Sequence, residues 1–130
     1  MTNDLPETRP WSAAELERLD RAALIRVAPA RRADGTLRPF VTIGHVRLGQ
    51  DELVRSLNGP DGTWYLAAVA SGRGEIEVDG YRVAVAFMPD GGRVADVDRA
   101  LRSRYGDDSG VRRMTSAPAR EANLRVVPLA

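Results

Sequence analysis

The segment Leu53-Val54-Arg55-Ser56-Leu57-Asn58-Gly59-Pro60-Asp61-Gly62-Thr63-Trp64-Tyr65 decides how this chain is organised. It predicts an apolar strand that ends at Arg55 and Ser56, a loop with two glycines and a proline, and a helix that begins at Thr63. A strand end, a glycine loop and a helix start bring backbone N–H groups together, and such groups bind anions. Arg55 adds a planar, permanently charged guanidinium. We interpret the segment as a candidate site for an anion such as the phosphate of a nucleotide-like cofactor. The alternative is an ordinary strand–loop–helix connection with a surface arginine.

Length and composition bound the class of protein. The chain has 130 residues, of which 43% are hydrophobic, and this is typical of one globular domain. We expect the polar stretch Met1–Pro10 to be a flexible arm and residues 11–130 to form a single domain. The chain has no cysteine and no apolar run long enough to span a membrane, which favours a cytoplasmic protein that does not bind membranes.

Charge and residue types exclude several kinds of chemistry. The 19 basic residues are all arginine, so mechanisms with a lysine nucleophile or Schiff base are excluded. The net charge is +1 and its charges are interspersed, so the sequence gives no indication of nucleic-acid binding. Since His45 is the single histidine and cysteine is absent, we predict no metal site.

Hydrophobic periodicity predicts an α+β fold. Hairpin turns with few helices indicate a small antiparallel barrel of about six strands rather than a doubly wound sheet. Going along the chain, we predict a helix from the Ser12 cap to about Arg21, strands Ala23–Pro29, Phe40–Leu48 and Glu52–Ser56, helix Thr63–Ser71, strands Glu75–Val78 and Tyr81–Phe87, helix Asp90–Arg104, an irregular segment Asp107–Ala119, and strand Asn123–Val127.

Local signals fix several of these boundaries. Ser12 and Glu15 have the spacing of a capping box, and Thr63 is the predicted cap of its helix. Asp34-Gly35 is a strong hairpin signal. Gly44, in the middle of a strand, indicates a bend or a place where another group approaches the backbone closely.

Several of these motifs together resemble a bacterial family known as domain of unknown function 2255. The resemblance covers nearly the whole chain from Trp11 to Pro128. It is carried by Arg32-x-Asp34-Gly35, strand Pro39–Val46, Leu53-x-Arg55-Ser56-x-x-Gly59, Trp64-Tyr65, Gly72-x-Gly74-x-Ile76, Asp98-x6-Tyr105-Gly106 and Leu124-Arg125-x-x-Pro128. The family is similar to split β-barrel proteins that bind flavins or deazaflavins, usually at the interface of a homodimer.

This resemblance implies an FMN-binding-like split barrel, a homodimer, and a flavin- or deazaflavin-dependent oxidoreductase acting on a small molecule. The cofactor that the resemblance implies is FMN or a deazaflavin coenzyme, and the alternative is a protein that binds neither. The family usually has a bulky aromatic residue near position 44, and here a glycine opens a pocket or removes a stacking partner. Contacts with the phosphate or the ring system are expected from Thr42, Gly44, Arg55, Ser56, Gly59, Gly62 and Trp64.

Two residues are candidates for proton transfer to a substrate, His45 and Tyr65. Each also has a structural alternative: an interfacial or partly buried imidazole that caps a carbonyl for His45, and a helix residue packing on the barrel for Tyr65. A second hypothesis is a cofactor-independent small-molecule enzyme, a cyclase or isomerase, with His45 as its acid or base. The same hypothesis includes a dimer that only binds a ligand in this barrel pocket. A third hypothesis is a structural or regulatory dimer without a ligand.

Overall fold

The computed structural model of the chain describes residues 7–130. The fold is α+β, as predicted, and seven strands form one antiparallel sheet. In chain order, the described elements are α1 (Ala13–Arg21), β1 (Ile25–Pro29), β2 (Val41–Ile43), β3 (Val46–Leu48), β4 (Asp51–Arg55), a 3₁₀ turn (Gly59–Asp61), α2 (Thr63–Ser71), β5 (Arg73–Val78), β6 (Tyr81–Pro89), α3 (Val94–Tyr105), α4 (Ser109–Met114), α5 (Ala117–Arg120) and β7 (Asn123–Pro128).

The strand order shows that the sheet curls back on itself. The order is β2-β1-β5-β6-β7-β4-β3, so β2 and β3 lie at opposite edges. Only Gly44 and His45 separate these two strands in the chain. Because three Cα–Cα steps span about 11 Å at most, the two edges must approach each other closely. Within residues 7–130 β2 and β3 are not paired with each other, so the barrel has a seam at Gly44-His45.

The seam explains the difference between six predicted strands and seven observed ones. The predicted strand Phe40–Leu48 is broken, because Val41–Ile43 pairs with β1 whereas Val46–Leu48 pairs with β4. A glycine at the break has no Cβ to obstruct this change of partner. The break falls at Gly44, where the sequence predicts a bend or a close approach to the backbone.

Helices cover the barrel and enclose two apolar clusters. The larger cluster joins α1 and α2 to the sheet and includes Leu19, Val54 and Ile76. The smaller cluster packs α3 and α4 on β3 and β4. Gly72 ends α2 in the left-handed conformation. In the described residues no helix combines the length and apolar character needed to cross a membrane.

The segment predicted to be irregular, Asp107–Ala119, contains two short helices. Asp108 caps α4, because its carboxylate accepts a hydrogen bond of 2.9 Å from the Val111 N–H. Pro118 lies in the first turn of α5, where a missing N–H costs nothing. Gly110, Ser109 and Ser116 interrupt the apolar pattern, so periodicity does not indicate either helix.

Residues 7–10 are held against the end of the chain, contrary to the predicted flexible arm. Thr8 bridges Leu129, and the Arg9 N–H donates to the Pro128 carbonyl at 3.0 Å. The remainder of the predicted arm, residues 1–6, lies outside the described residues. The predicted capping box at the start of α1 is confirmed, since Ser12 and Glu15 exchange both hydrogen bonds.

Glu15 connects this N-terminal segment to α1. Its carboxylate accepts bonds of 2.8 and 2.9 Å from Arg9, and its side chain is only 7% exposed. The Arg9 hydrogen bond is the main cause that lowers the pKa of Glu15 to about 2. Because this pKa lies below that of the unfolded chain, the carboxylate stabilises the fold above about pH 4.5 and loses that effect as the pH falls towards 2.

We therefore expect Glu15→Gln to lower the free energy of unfolding at pH 7 by about 1–3 kcal/mol, allowing for solvent screening at half-exposed Arg9. Urea unfolding of both proteins from pH 7 to pH 2 measures this. The difference between them should shrink steadily below pH 4.5. A difference that stays constant down to pH 2 contradicts the assignment.

Candidate functional site

Two adjoining cavities lie beside the seam and share Leu57 and Trp64 as walls. Both have the size of small-molecule sites. The α2 cavity, of about 360 Å³, is lined by Pro29, Arg38, Pro39, Val41, Ser56, Leu57, Asn58, Gly62, Thr63 and Trp64. The α3–α4 cavity, of about 300 Å³, is lined by Leu24, Thr42, Ile43, Gly44, Arg55, Leu57, Trp64, Leu101, Tyr105, Asp108, Gly110, Val111 and Met114.

Six of the nine predicted site residues line this pair of cavities. Ser56 and Gly62 line the α2 cavity, and Trp64 stands between the two. Thr42, Gly44 and Arg55 line the α3–α4 cavity. The quoted segment Leu53–Tyr65 and the strand before it therefore supply facing walls of one cleft. Gly59, His45 and Tyr65 are outside both linings as formed by residues 7–130.

The start of α2 faces the α2 cavity without a cap. The N-cap is Gly62 rather than the predicted Thr63, which is the first helical residue, and no side chain bonds to the helix start. The first internal bond runs from the Leu66 N–H to the Gly62 carbonyl. The N–H groups of the first turn thus have no partner inside the helix, and together they carry partial positive charge.

Ser56 places a hydroxyl directly below this helix start. The residue is 1% exposed, and its Oγ has no hydrogen-bond partner among the described residues. A methyl group at Gly62 would overlap that oxygen, so glycine is required for this approach. A buried hydroxyl without a hydrogen-bond partner costs free energy. A ligand that accepts a hydrogen bond from Ser56 would remove that cost.

Gly59 has a structural position instead. Its φ of +70° favours glycine, and a Cβ there would lie 2.7 Å from the Pro118 carbonyl oxygen. It therefore allows the loop to pack against α5. This contact, rather than a cofactor contact, accounts for the glycine.

Arg55 also differs from its predicted role as a phosphate ligand. It is 2% exposed, and its guanidinium donates to Asp98 at 2.5 Å and to Asn123 at 2.6 Å. It donates further to the carbonyls of Met114 at 2.9 Å and Val94 at 3.2 Å. Burial lowers the pKa of Arg55, and the bond to Asp98 opposes that effect. With these donors engaged, Arg55 joins β4, β7, α3 and α4 and supports the cavity wall from behind.

His45 lies at the seam with each ring nitrogen close to an oxygen atom of another residue. Nε2 is 2.7 Å from the Ala22 carbonyl, and Nδ1 is 2.6 Å from the Glu52 carboxyl. Both side chains are at most 1% exposed. Burial raises the pKa of Glu52, and the neighbouring His45 works against that rise. The carbonyl contact of the structural alternative is present, although the ring is fully buried rather than interfacial or partly buried. A contact between His45 and a substrate does not fit this position.

Tyr65 packs against the larger apolar cluster. Its ring meets that of Trp64 edge-on, with centroids 6.3 Å apart and planes at 77°. The structural alternative, packing of a helix residue on the barrel, fits this placement. The tyrosine that lines the α3–α4 cavity is Tyr105 rather than Tyr65.

Sequence reasoning missed three residues that complete the cleft, two from distant segments and one, Leu57, from within the segment Leu53–Tyr65. Tyr105 comes from the end of α3, Arg38 from the first hairpin and Leu57 from the loop after β4. Tyr105-Gly106 was part of the quoted motifs, and this was the one signal for its importance. The alternation and capping patterns carry no information about which helix meets which strand.

Comparison with solved structures shows the same fold in other proteins. A conserved hypothetical protein from Mycobacterium tuberculosis matches with a TM-score of 0.61 at 12% identity, over 99% of this chain and 86% of that one. An F420 reductase matches with a TM-score of 0.54 at 15% identity, over 88% and 91% of the two chains. A protein described as a candidate 5-nitroimidazole antibiotic resistance protein from Bacteroides thetaiotaomicron gives 0.53 at 14% identity, over 99% and 89%.

Comparison of the sequence with family models assigns the chain to a family. No curated protein matches the chain. The model of a family described as uncharacterized proteins conserved in bacteria, DUF2255, matches residues 15–126. This range takes in the seam, the segment Leu53–Tyr65 and every lining residue of both cavities. The chain therefore belongs to the DUF2255 family.

Proposed function

We propose that this protein binds a phosphate-bearing planar redox cofactor, FMN or a deazaflavin, in the cleft of the two cavities and acts as an oxidoreductase on a small molecule. The observation that carries the proposal is the unpartnered buried hydroxyl of Ser56 beneath the uncapped start of α2. Free N–H groups at a helix start, together with a hydroxyl donor, match the acceptor oxygens of a phosphate.

The α2 cavity has the donors that a phosphate needs. The helix start supplies N–H groups and a partial positive charge, and Ser56 supplies an O–H. Arg38, an exposed residue of the lining, adds a full positive charge. This set of donors fits a phosphate group, although Arg55 is absent from it because its guanidinium is engaged elsewhere.

The α3–α4 cavity has the character that a ring system needs. Its lining is mainly apolar and includes the rings of Trp64 and Tyr105. Thr42 lies on β2, whose second edge is unpaired within residues 7–130, so its backbone groups are free to bond a polar ring edge. A bound flavin or deazaflavin supplies hydride transfer. The chain's own part is to hold the phosphate, orient the ring and exclude water.

The structural neighbours support the same class of cofactor. F420 is a deazaflavin coenzyme, and one neighbour is a reductase named for it. At 15% identity this similarity concerns the fold, so the choice of cofactor rests on the cleft of this chain.

We also propose that the working form is a homodimer. Several large apolar side chains are exposed on α2 and beside the cleft, including Leu24 at 54% and Leu66 at 53%. A second copy that covers these side chains would bury apolar surface and close the cleft to water.

The cofactor-independent alternative has weaker support in the geometry. It relied on His45 as acid or base, and His45 is buried between Glu52 and the Ala22 carbonyl. A small-molecule enzyme of this kind would need a proton-transfer group elsewhere in the cleft.

Titration of the protein with FMN, a deazaflavin coenzyme and riboflavin tests the proposal. Trp64 lines both cavities, so its fluorescence should change on binding, whereas Trp11 is buried and bonded to the Val126 carbonyl. We expect saturable binding of FMN or the deazaflavin, and at least about tenfold weaker binding of riboflavin, which lacks the phosphate. Absence of saturable binding by either phosphate-bearing cofactor to the folded protein contradicts the proposal.

A further inference from the structure

The wall of the α3–α4 cavity at Gly44 is made by a residue from another element. A Cβ at Gly44 would lie 3.4 Å from the hydroxyl oxygen of Tyr105 and 3.5 Å from two of its ring carbons. The ring of Tyr105 therefore occupies the space into which a side chain at position 44 would project. An aromatic ring therefore forms this wall, and it belongs to the last residue of α3 rather than to position 44.

Hydrogen bonds fix this ring in place. The Tyr105 hydroxyl accepts from the His45 backbone N–H at 3.0 Å and lies 2.6 Å from the Ala23 carbonyl, to which it donates. Arg104, the residue before it, reaches the carbonyls of Leu19 and Ala22 near the end of α1. Because the hydroxyl is engaged on the seam, Tyr105 offers the cavity a ring face and no free proton.

The charged groups in the lining are engaged as well. Arg55 is paired with Asp98, and the Asp108 carboxylate accepts the Val111 N–H as the cap of α4. Among the described residues, the ionisable side chains of the lining are Arg55, Asp108 and Tyr105. A ligand group that enters the cavity meets mainly apolar surface, a guanidinium neutralised by Asp98 and one exposed carboxylate, that of Asp108. The apolar part of this lining favours an uncharged group.

We propose that the α3–α4 cavity takes an uncharged, largely apolar group of the ligand and that Tyr105 sets the size it accepts, which makes Tyr105 a specificity-determining residue. The inference deepens the proposed function and rests on the same cleft. It states what the second cavity selects, whereas the phosphate is bound in the first.

Methionine methyl NMR of the full chain gives a local readout. Met114 lines this cavity, whereas Met88 lies on β6 and serves as an internal control. The probes are toluene and 1-methylnaphthalene, which carry neither a phosphate nor a flavin ring. Their binding is therefore measured independently of the titrations with FMN, and each proposal can fail without the other.

We expect both probes to shift the Met114 signal and leave Met88 unchanged. Tyr105→Ala should strengthen binding of 1-methylnaphthalene relative to toluene by about fivefold or more, since the wall is removed. Tyr105→Phe keeps the ring and loses the hydrogen bonds, so its preference should equal that of the wild type. Gly44→Ala adds a methyl group against the Tyr105 ring, which thickens this wall of the cavity. This variant should therefore disfavour the larger probe.

Three outcomes overturn the inference. One is a wild-type Met114 signal that neither probe moves. Another is a Tyr105→Phe protein whose size preference changes as much as that of Tyr105→Ala, since this assigns the effect to the seam rather than the wall. The third applies if Tyr105→Ala does not fold, and it is a Gly44→Ala protein whose preference between the two probes equals that of the wild type.

Discussion

Asp98→Ala is expected to lower the free energy of unfolding by about 3–5 kcal/mol. The substitution leaves the Arg55 guanidinium, which is 2% exposed, without the carboxylate that it contacts at 2.5 Å. It also removes the partner of Arg120, whose Nε lies 2.8 Å from the other Asp98 oxygen. A charge that is buried and unpaired is among the most costly features a fold can contain.

Urea unfolding followed by circular dichroism measures this effect. Asp96→Ala is the matched control, since Asp96 lies on the same helix but pairs with Arg99 at the surface, and we expect a loss below about 1 kcal/mol. The double variant Arg55→Met/Asp98→Leu replaces the pair by apolar groups and should be more stable than Asp98→Ala alone. An Asp98→Ala protein as stable as the Asp96→Ala control contradicts the structural role of Arg55.

The second large effect is expected on ligand binding. Gly62→Ala puts a methyl group where the Ser56 hydroxyl now lies, at the start of α2. The hydroxyl must rotate, and the free N–H groups become partly covered. We expect FMN affinity to fall by at least about tenfold, equivalent to about 1.4 kcal/mol, and stability to fall by about 1–3 kcal/mol from overpacking.

A double variant separates these two effects. Gly62→Ala/Ser56→Ala removes the clash, so stability should return while FMN affinity stays low, because the hydroxyl donor is gone. Gly91→Ala is the control glycine substitution, since a Cβ there meets open space. If the double variant binds FMN as tightly as the wild type, neither Ser56 nor the exposed helix start holds the phosphate.

Local features of this fold were predictable because neighbouring residues determine them. The capping box of α1 involves residues three positions apart, and Asp34-Gly35 turns the first hairpin. The same holds for α2, which begins and ends at the predicted residues Thr63 and Ser71. Each of these depends on a short pattern with its own physical cause.

The partners of the site residues could not be predicted in this way. Arg55 was recognised as important beside a glycine loop, but its partners Asp98 and Asn123 are 43 and 68 positions away. The ring that faces Gly44 belongs to Tyr105, 61 positions further along the chain. A one-dimensional pattern shows that a charge is present but does not show whether another segment neutralises it.

Phosphate binding at the start of α2 is the feature on which the proposed function depends most. Titration of the ¹⁵N-labelled protein with FMN, followed by amide NMR, tests this binding directly. We expect the largest shift changes on the backbone amides of Thr63, Trp64 and Tyr65 and on the Trp64 indole, and we expect riboflavin to leave the three backbone amides nearly unchanged. Saturable FMN binding that shifts amides elsewhere, with these three unmoved, would contradict it.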